Sequence, residues 1–200
     1  MSPTSNRAPR PFIQPAGWAV ALWLAVVNLP SAALAQDPLL ERRSKVEAAF
    51  LRNFARYVTW PANAFDNDRA PWVVCVVGDD RFDDALEATF RGRTEQGRPF
   101  EVLRAAALDD LPACQILFIG VENAARRRAI LGRLKNKPVL TVSNAPDFLS
   151  EGGVIRLLPG EHIEMGVNLD QARSASLVIP TKLLEVSSDV VENGALRRRR

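Results

Sequence analysis

Apolar residues recur along this chain in two rhythms. Between Leu39 and Val58, the residues Val46, Ala49, Phe50, Phe54, Tyr57 and Val58 return at steps of three and four, which predicts one long helix that Pro61 ends. Arg42, Arg43, Arg52 and Arg56 fall mostly off that stripe. Trp72 to Val77 is a continuous apolar run of six, the pattern of a strand buried on both faces. Gly78 follows, with Asp79 and Asp80 as candidate caps for a helix through Leu86 to Phe90. Gly92 to Gly97 reads as a polar turn. Further strands are predicted at Pro99–Leu103, Cys114–Ile119 and Pro138–Val142, with a basic helix over Asn123–Leu134. Gly152-Gly153 leads into Val154–Leu158, and Pro159-Gly160 leads into Ile163–Leu169, as an antiparallel pair. Thr181–Val191 closes the pattern as a helix with Leu183, Leu184, Val186 and Val190 apolar. Strands mostly separated by helices predict an α/β class. The expected form is a single three-layer domain over residues 36–194, with a mixed, mostly parallel sheet of about six strands and helices on both faces.

The first 35 residues follow a different rule. Arg7 and Arg10 precede the ten-residue apolar run Trp18–Val27, Pro30 breaks it, and Ala33-Leu34-Ala35 offers small residues for cleavage. This is the pattern of a secretory signal peptide cleaved after Ala35, which places the mature protein in the periplasm. The run falls short of the roughly 20 apolar residues of a membrane span, the feature an uncleaved anchor would need. Removing it leaves 24 basic and 23 acidic residues, so the mature chain is close to neutral. Four of those basic residues are Arg197–Arg200, in a tail over residues 195–200 expected to be disordered and solvated; the competing reading is a weak anchor to anionic lipid or another polyanion. No basic face for nucleic acid emerges from this balance.

The chemistry of the chain is sparse. Its two cysteines, Cys75 and Cys114, each lie in an apolar strand-like run. An exported chain usually pairs an even number, and adjacent strands would bring these two within bonding range; two buried thiols are the alternative. The one histidine, His162, has no acid or nucleophile near it in sequence that would make a triad, and zinc needs three or four His or Cys ligands. The turn at Gly78-Asp79-Asp80 sits where phosphates bind in doubly wound folds, but lacks the G-x-G-x-x-G spacing and carries two acids. The acid pairs Asp79-Asp80, Asp83-Asp84 and Asp109-Asp110 read as caps and loop charge. No catalytic residue, cofactor or metal is expected, and the chain gives no positive reason to be an enzyme.

One segment is more specific. Ala48-Ala-Phe-Leu-Arg-Asn-Phe-Ala-Arg-Tyr-Val-Thr-Trp-Pro61 resembles the opening helix of the YfiR family of exported bacterial proteins, with its AAFLxNFxxxxxWP pattern. Val73–Asp79, Gly97-Arg98-Pro99, Cys114–Ile119, Val139–Ser143, Gly152-Gly153, Val167-Asn168-Leu169 and Leu183-Leu184 are similar to successive parts of that family, in order, over residues 43–190. The resemblance implies a periplasmic regulator that binds the periplasmic sensor region of a membrane-bound diguanylate cyclase, or a similar sensor protein. It would hold that partner inactive, so that release raises cyclic di-GMP and favours biofilm. It implies a structural disulfide between Cys75 and Cys114, and homodimerisation. A second cysteine pair flanking the Gly152-Gly153 turn is absent, which removes the basis for redox control through such a pair.

A binding protein needs an exposed patch. Phe50, Phe54, Tyr57, Val58 and Trp60 form the densest aromatic cluster, although an amphipathic helix normally buries its stripe on a sheet. Trp60 and Trp72, at element ends, are expected to be partly exposed partner contacts. The other function class is a small-ligand binding module, with Gly78, Gly120, Ser143 and Asn144 at strand ends that would border a crevice. A hydrolase would require acids and His162 to converge in space.

Overall fold

A computed structural model describes residues 38–79 and 81–198. The expected signal segment, Asp80 and the last two arginines lie outside the described residues, and no described helix is long and apolar enough to cross a membrane.

The strands are β1 (Trp72–Gly78), β2 (Thr94–Glu95), β3 (Arg98–Ala105), β4 (Ile116–Gly120), β5 (Leu140–Ser143), β6 (Ile155–Leu158), β7 (Glu164–Asn168), β8 (Asp189–Glu192) and β9 (Ala195–Arg198). The helices are α1 (Pro38–Tyr57), α2 (Ala85–Phe90), α3 (Ala124–Arg133), α4 (Leu169–Ser174) and α5 (Thr181–Glu185). The strands form one mixed sheet in the order β2-β3-β1-β4-β5-β6-β7-β8-β9. β3, β1, β4, β5 and β6 run parallel, as do β7 and β8, whereas β2–β3, β6–β7 and β8–β9 are antiparallel. The α/β class and the mixed sheet agree with the sequence pattern, as does the β6–β7 pair. The sheet has nine strands rather than about six.

The additional strands have identifiable causes. Gln96-Gly97 and Asn193-Gly194 have positive φ at both positions, the two-residue turns that match strand twist. The first folds Thr94–Glu95 out of the expected polar turn. The second creates β9 where a disordered tail was expected from residue 195. The helix predicted over Thr181–Val191 stops at Glu185, because Asp189–Glu192 pairs in parallel with β7. The Ser187 hydroxyl donates to the Leu183 carbonyl at 2.7 Å and closes that helix end. Asp79 is not a helix cap either: α2 starts after Asp84, whose side chain makes no capping bond.

Two cores lie against the sheet. Val74, Val76, Ile116 and Phe118 join α1, α2 and α4 in one; Cys75, Val77, Leu117 and Ile119 join Ile130 and Leu131 of α3 in the other. This alternation is the period-two geometry of central strands buried on both faces. Each fully buried Leu, Ile or Phe contributes about 1.5–3 kcal/mol relative to exposure. Cys75 and Cys114 form a disulfide in the second core.

On α1 the buried stripe is Ala48, Leu51, Phe54 and Ala55, continued by Val58 just past its end. The expected stripe is thus rotated: Phe54 and Val58 are inside, Phe50 is half-buried, and Val46, Ala49 and Tyr57 face outward. That rotation also buries Glu47.

Candidate functional site

β1 has β3 on one side and β4 on the other, and the chain leaves β1 through α2 and β4 through α3 toward opposite cores. The carboxyl ends of β1 and β4 are therefore a topological switch point, where open α/β sheets leave a crevice. Two glycines shape it. Gly78 has φ +90°, and a Cβ there would lie 2.7 Å from the Gly120 carbonyl oxygen. A Cβ on Gly120 would lie 2.2 Å from the Asp79 carbonyl oxygen. The backbones meet instead through the Asp79 N–H, which donates to the Gly120 carbonyl at 2.8 Å.

The crevice encloses about 480 Å³. Asp79, Arg81, Glu122 and Asn144 supply its charged and amide groups, with Val121 and Ala145 as apolar wall. Its floor is held by Arg127 on α3. That buried guanidinium meets the Glu151 carboxylate at 2.6 and 2.7 Å and the carbonyls of Val121 and Glu122 at 2.8 and 2.5 Å. The hydrogen bond to Glu151 raises the Arg127 pKa further above its ordinary value, so the group is a fixed cation. Asn123 caps α3 by accepting from the Arg126 N–H at 2.9 Å.

The expected contact residues divide. Gly120 and Asn144 line the crevice; Gly78 does not, and packs against Gly120 and Val121 behind it. Ser143 does not either: it is fully buried, and its hydroxyl donates to the Ile119 carbonyl at 2.7 Å. Period-two alternation turns its side chain into the sheet while the next residue reaches the crevice.

Trp60 and Trp72 meet at the start of β1. Trp72 is 1% exposed, so its expected partial exposure is overturned. Phe65 and Trp60 each meet its ring edge-on at 4.9 Å, Phe100 stacks at 6.3 Å, and its indole N–H donates to the Glu95 carbonyl at 3.0 Å. Trp60 is half-buried, and its indole N–H donates to the Gln115 carbonyl at 3.3 Å. Aromatic edge-to-face pairs add about 0.5–1.5 kcal/mol each beyond burial, so both tryptophans hold the fold together at this end.

Arg81 and Arg127 were not legible as site residues. Arg127 had a signal: with Ile130, Leu131 and Leu134 it shares the three- and four-residue spacing of the inward face of α3. Among the described residues no group of three or more His, Cys, Asp or Glu could hold a metal ion, and His162 is exposed in the turn between β6 and β7.

The profile of the YfiR/HmsC-like family matches residues 44–188. The chain belongs to this family. Its YfiR-like segment therefore starts within α1 and extends almost to β8, taking in the crevice and the disulfide. The β8–β9 hairpin lies beyond the matched part.

Proposed function

We propose that this protein is a periplasmic, non-catalytic regulator that binds the periplasmic sensor region of a membrane-bound diguanylate cyclase and restrains it. The observation that carries this reading is YfiR-family membership across residues 44–188. The amino-terminal sequence supports export, and the disulfide supports an oxidising compartment. The Cys75–Cys114 bond ties the middle of β1 to the segment just before the parallel neighbour β4, within the core, so it acts as a staple, and the chain has no second pair for redox control. Cyclic di-GMP in cells lacking the gene, then carrying it again, tests the proposal. A rise on deletion that the intact gene reverses is expected; an unchanged level in both strains would sink it.

The switch-point crevice favours a second reading that can coexist with the first. A pocket of about 480 Å³ lined by Arg81, Asp79, Glu122 and Asn144 has the size and mixed polarity of a small polar ligand site. A ligand held there could bias partner binding through α3. Thermal shift against a metabolite library checks it: a stabilising compound whose effect disappears in Arg81→Ala is expected, and no stabilising compound would dismiss the site.

A further inference from the structure

Among the described residues, the sheet ends on an open edge whose chemistry selects what can pair with it. β9 is the last strand, and all four of its residues are exposed. It returns along β8 through Asn193 and Gly194, with φ of 54° and 72°. The Asp170 carboxylate clamps this turn, accepting from the backbone N–H of Asn193 at 2.9 Å and of Gly194 at 2.8 Å. A two-residue turn of this type makes the flanking pair, Glu192 with Ala195, hydrogen-bonded. Antiparallel pairs then alternate, so Val190 with Arg197 is bonded, while Val191 with Leu196 and Asp189 with Arg198 are not. The backbone N–H and carbonyl groups of Leu196 and Arg198 therefore point away from β8, toward a strand position that is vacant among the described residues.

Both faces beside that position are grooved. One groove, of about 620 Å³, is floored by Leu177, Ile179 and Val190, with Arg173 and Arg197 at its rim and Val178 62% exposed. The other, of about 860 Å³, runs past Val191 and Leu196 to Arg156 and Arg198, with Asp147 and Glu164 also in its lining. Leu196 is 51% exposed. The acids across the hairpin are already engaged: Glu192 by Arg173 at 2.7 Å, and Asp189 by Arg156. Arg197 and Arg198 stand farther from them, at 3.8 and 3.6 Å, and two more arginines follow in sequence. The strand β9 itself thus carries two arginines and no acid. A second copy pairing antiparallel through β9 would bring arginines against arginines, and like charges across strands are destabilising. Charged edges suppress such self-pairing in natural sheets.

We infer that β9 is the docking edge for an acidic, extended segment of a partner protein, which adds as a tenth strand. Its backbone would bond to Leu196 and Arg198, its carboxylates would meet Arg197 and Arg198, and its apolar side chains would enter the grooves. The inference rests on the reading that this protein acts by binding another protein.

The test uses the mature chain and a fluorescent, end-capped peptide of alternating valine and glutamate, read by anisotropy. Saturable binding that weakens with salt is expected, with at least tenfold loss in Leu196→Pro, which removes an outward N–H, and in the charge-reversed pair Arg197→Glu with Arg198→Glu. Melting midpoints near that of the parent show that either variant is folded; should Leu196→Pro unfold, the charge-reversed pair decides. Equal binding of a valine–lysine peptide, or undiminished binding by the folded variants, would overturn the inference. So would retention on phosphatidylglycerol vesicles with no peptide binding, which would make the basic end a lipid contact. The cyclic di-GMP assay separates this from the regulatory reading. If the intact gene lowers cyclic di-GMP and the folded variants lower it equally, the edge is refuted and the regulation stands. If the intact gene has no effect, the regulation fails and the peptide titration alone judges the edge.

Discussion

Glu151→Ala isolates the ion pair beneath the crevice. The side chains of Arg127 and Glu151 are 7% and 5% exposed, so removing the carboxylate leaves a buried guanidinium without its counter-charge. Breaking one partner of a buried pair costs about 3–5 kcal/mol. Here the guanidinium keeps the carbonyls of Val121 and Glu122, which offset part of the loss and set the expectation near the lower end, about 3 kcal/mol. For a domain of this size that lowers the melting midpoint by about 6–12 °C. The double variant Arg127→Met with Glu151→Leu removes both charges and leaves one buried carbonyl, that of Val121, short of a donor, at about 1–3 kcal/mol, while the part-buried Glu122 carbonyl can turn to water. The single variant should therefore be the less stable of the two. Urea unfolding of both proteins, with unchanged denaturant slopes, measures this order. A loss below about 1 kcal/mol in Glu151→Ala, or a double variant less stable than the single, would refute the view that the buried charge dominates this site.

Other expectations follow from the same geometry. Both carboxylate oxygens of Glu47 are buried without a hydrogen-bond partner, and burial raises its pKa against the opposing attraction of Arg81 and Arg43. Its folded-state pKa thus exceeds the unfolded one, so stability is undiminished below the unfolded value and falls as pH rises through the window between them. Glu47→Gln should remove that fall, with a melting difference from the parent that is widest near neutral pH and closes below about pH 4; parallel melting curves at all pH values would contradict it. Reducing the Cys75–Cys114 bond opens a loop of sequence separation 39 and should cost about 4 kcal/mol, read as a lower melting midpoint in dithiothreitol that Cys75→Ala with Cys114→Ala reproduces. Gly120→Ala forces a Cβ against the Asp79 carbonyl and should cost about 1–3 kcal/mol. Gly132→Ala, in open space on α3, should instead stabilise by about 0.5–1 kcal/mol, and equal effects of the two in calorimetry would count against the crevice geometry.

Much of the frame was readable locally. β1 and β4 are continuous apolar runs bounded by glycine, and α3 opens at an asparagine whose side chain does cap it. Gly78 and Gly120 marked both strand ends that border the crevice. The segment after Thr181 was misread because Leu183, Leu184 and Val190 satisfy a helical spacing as well as a strand face. Only pairing with β7 makes Asp189–Glu192 a strand. Asn193-Gly194 was a hairpin signal in plain view, hidden by short, charged flanking segments.

The sequence by itself determined the class of fold, the order of its main elements, the two cysteines available for a bond and the family to which the chain belongs. These depend on periodicity, turn chemistry and motif order, which act over a few residues. The tertiary structure decided which stripe of α1 is buried, that Ser143 turns inward while Asn144 borders the crevice, that Trp72 is sealed by Phe65 and Phe100, and that Ala195–Arg198 form a paired strand carrying two arginines. Each of those choices depends on partners distant in sequence. A side chain's environment is set by the surface that closes over it, and local spacing carries no record of that surface.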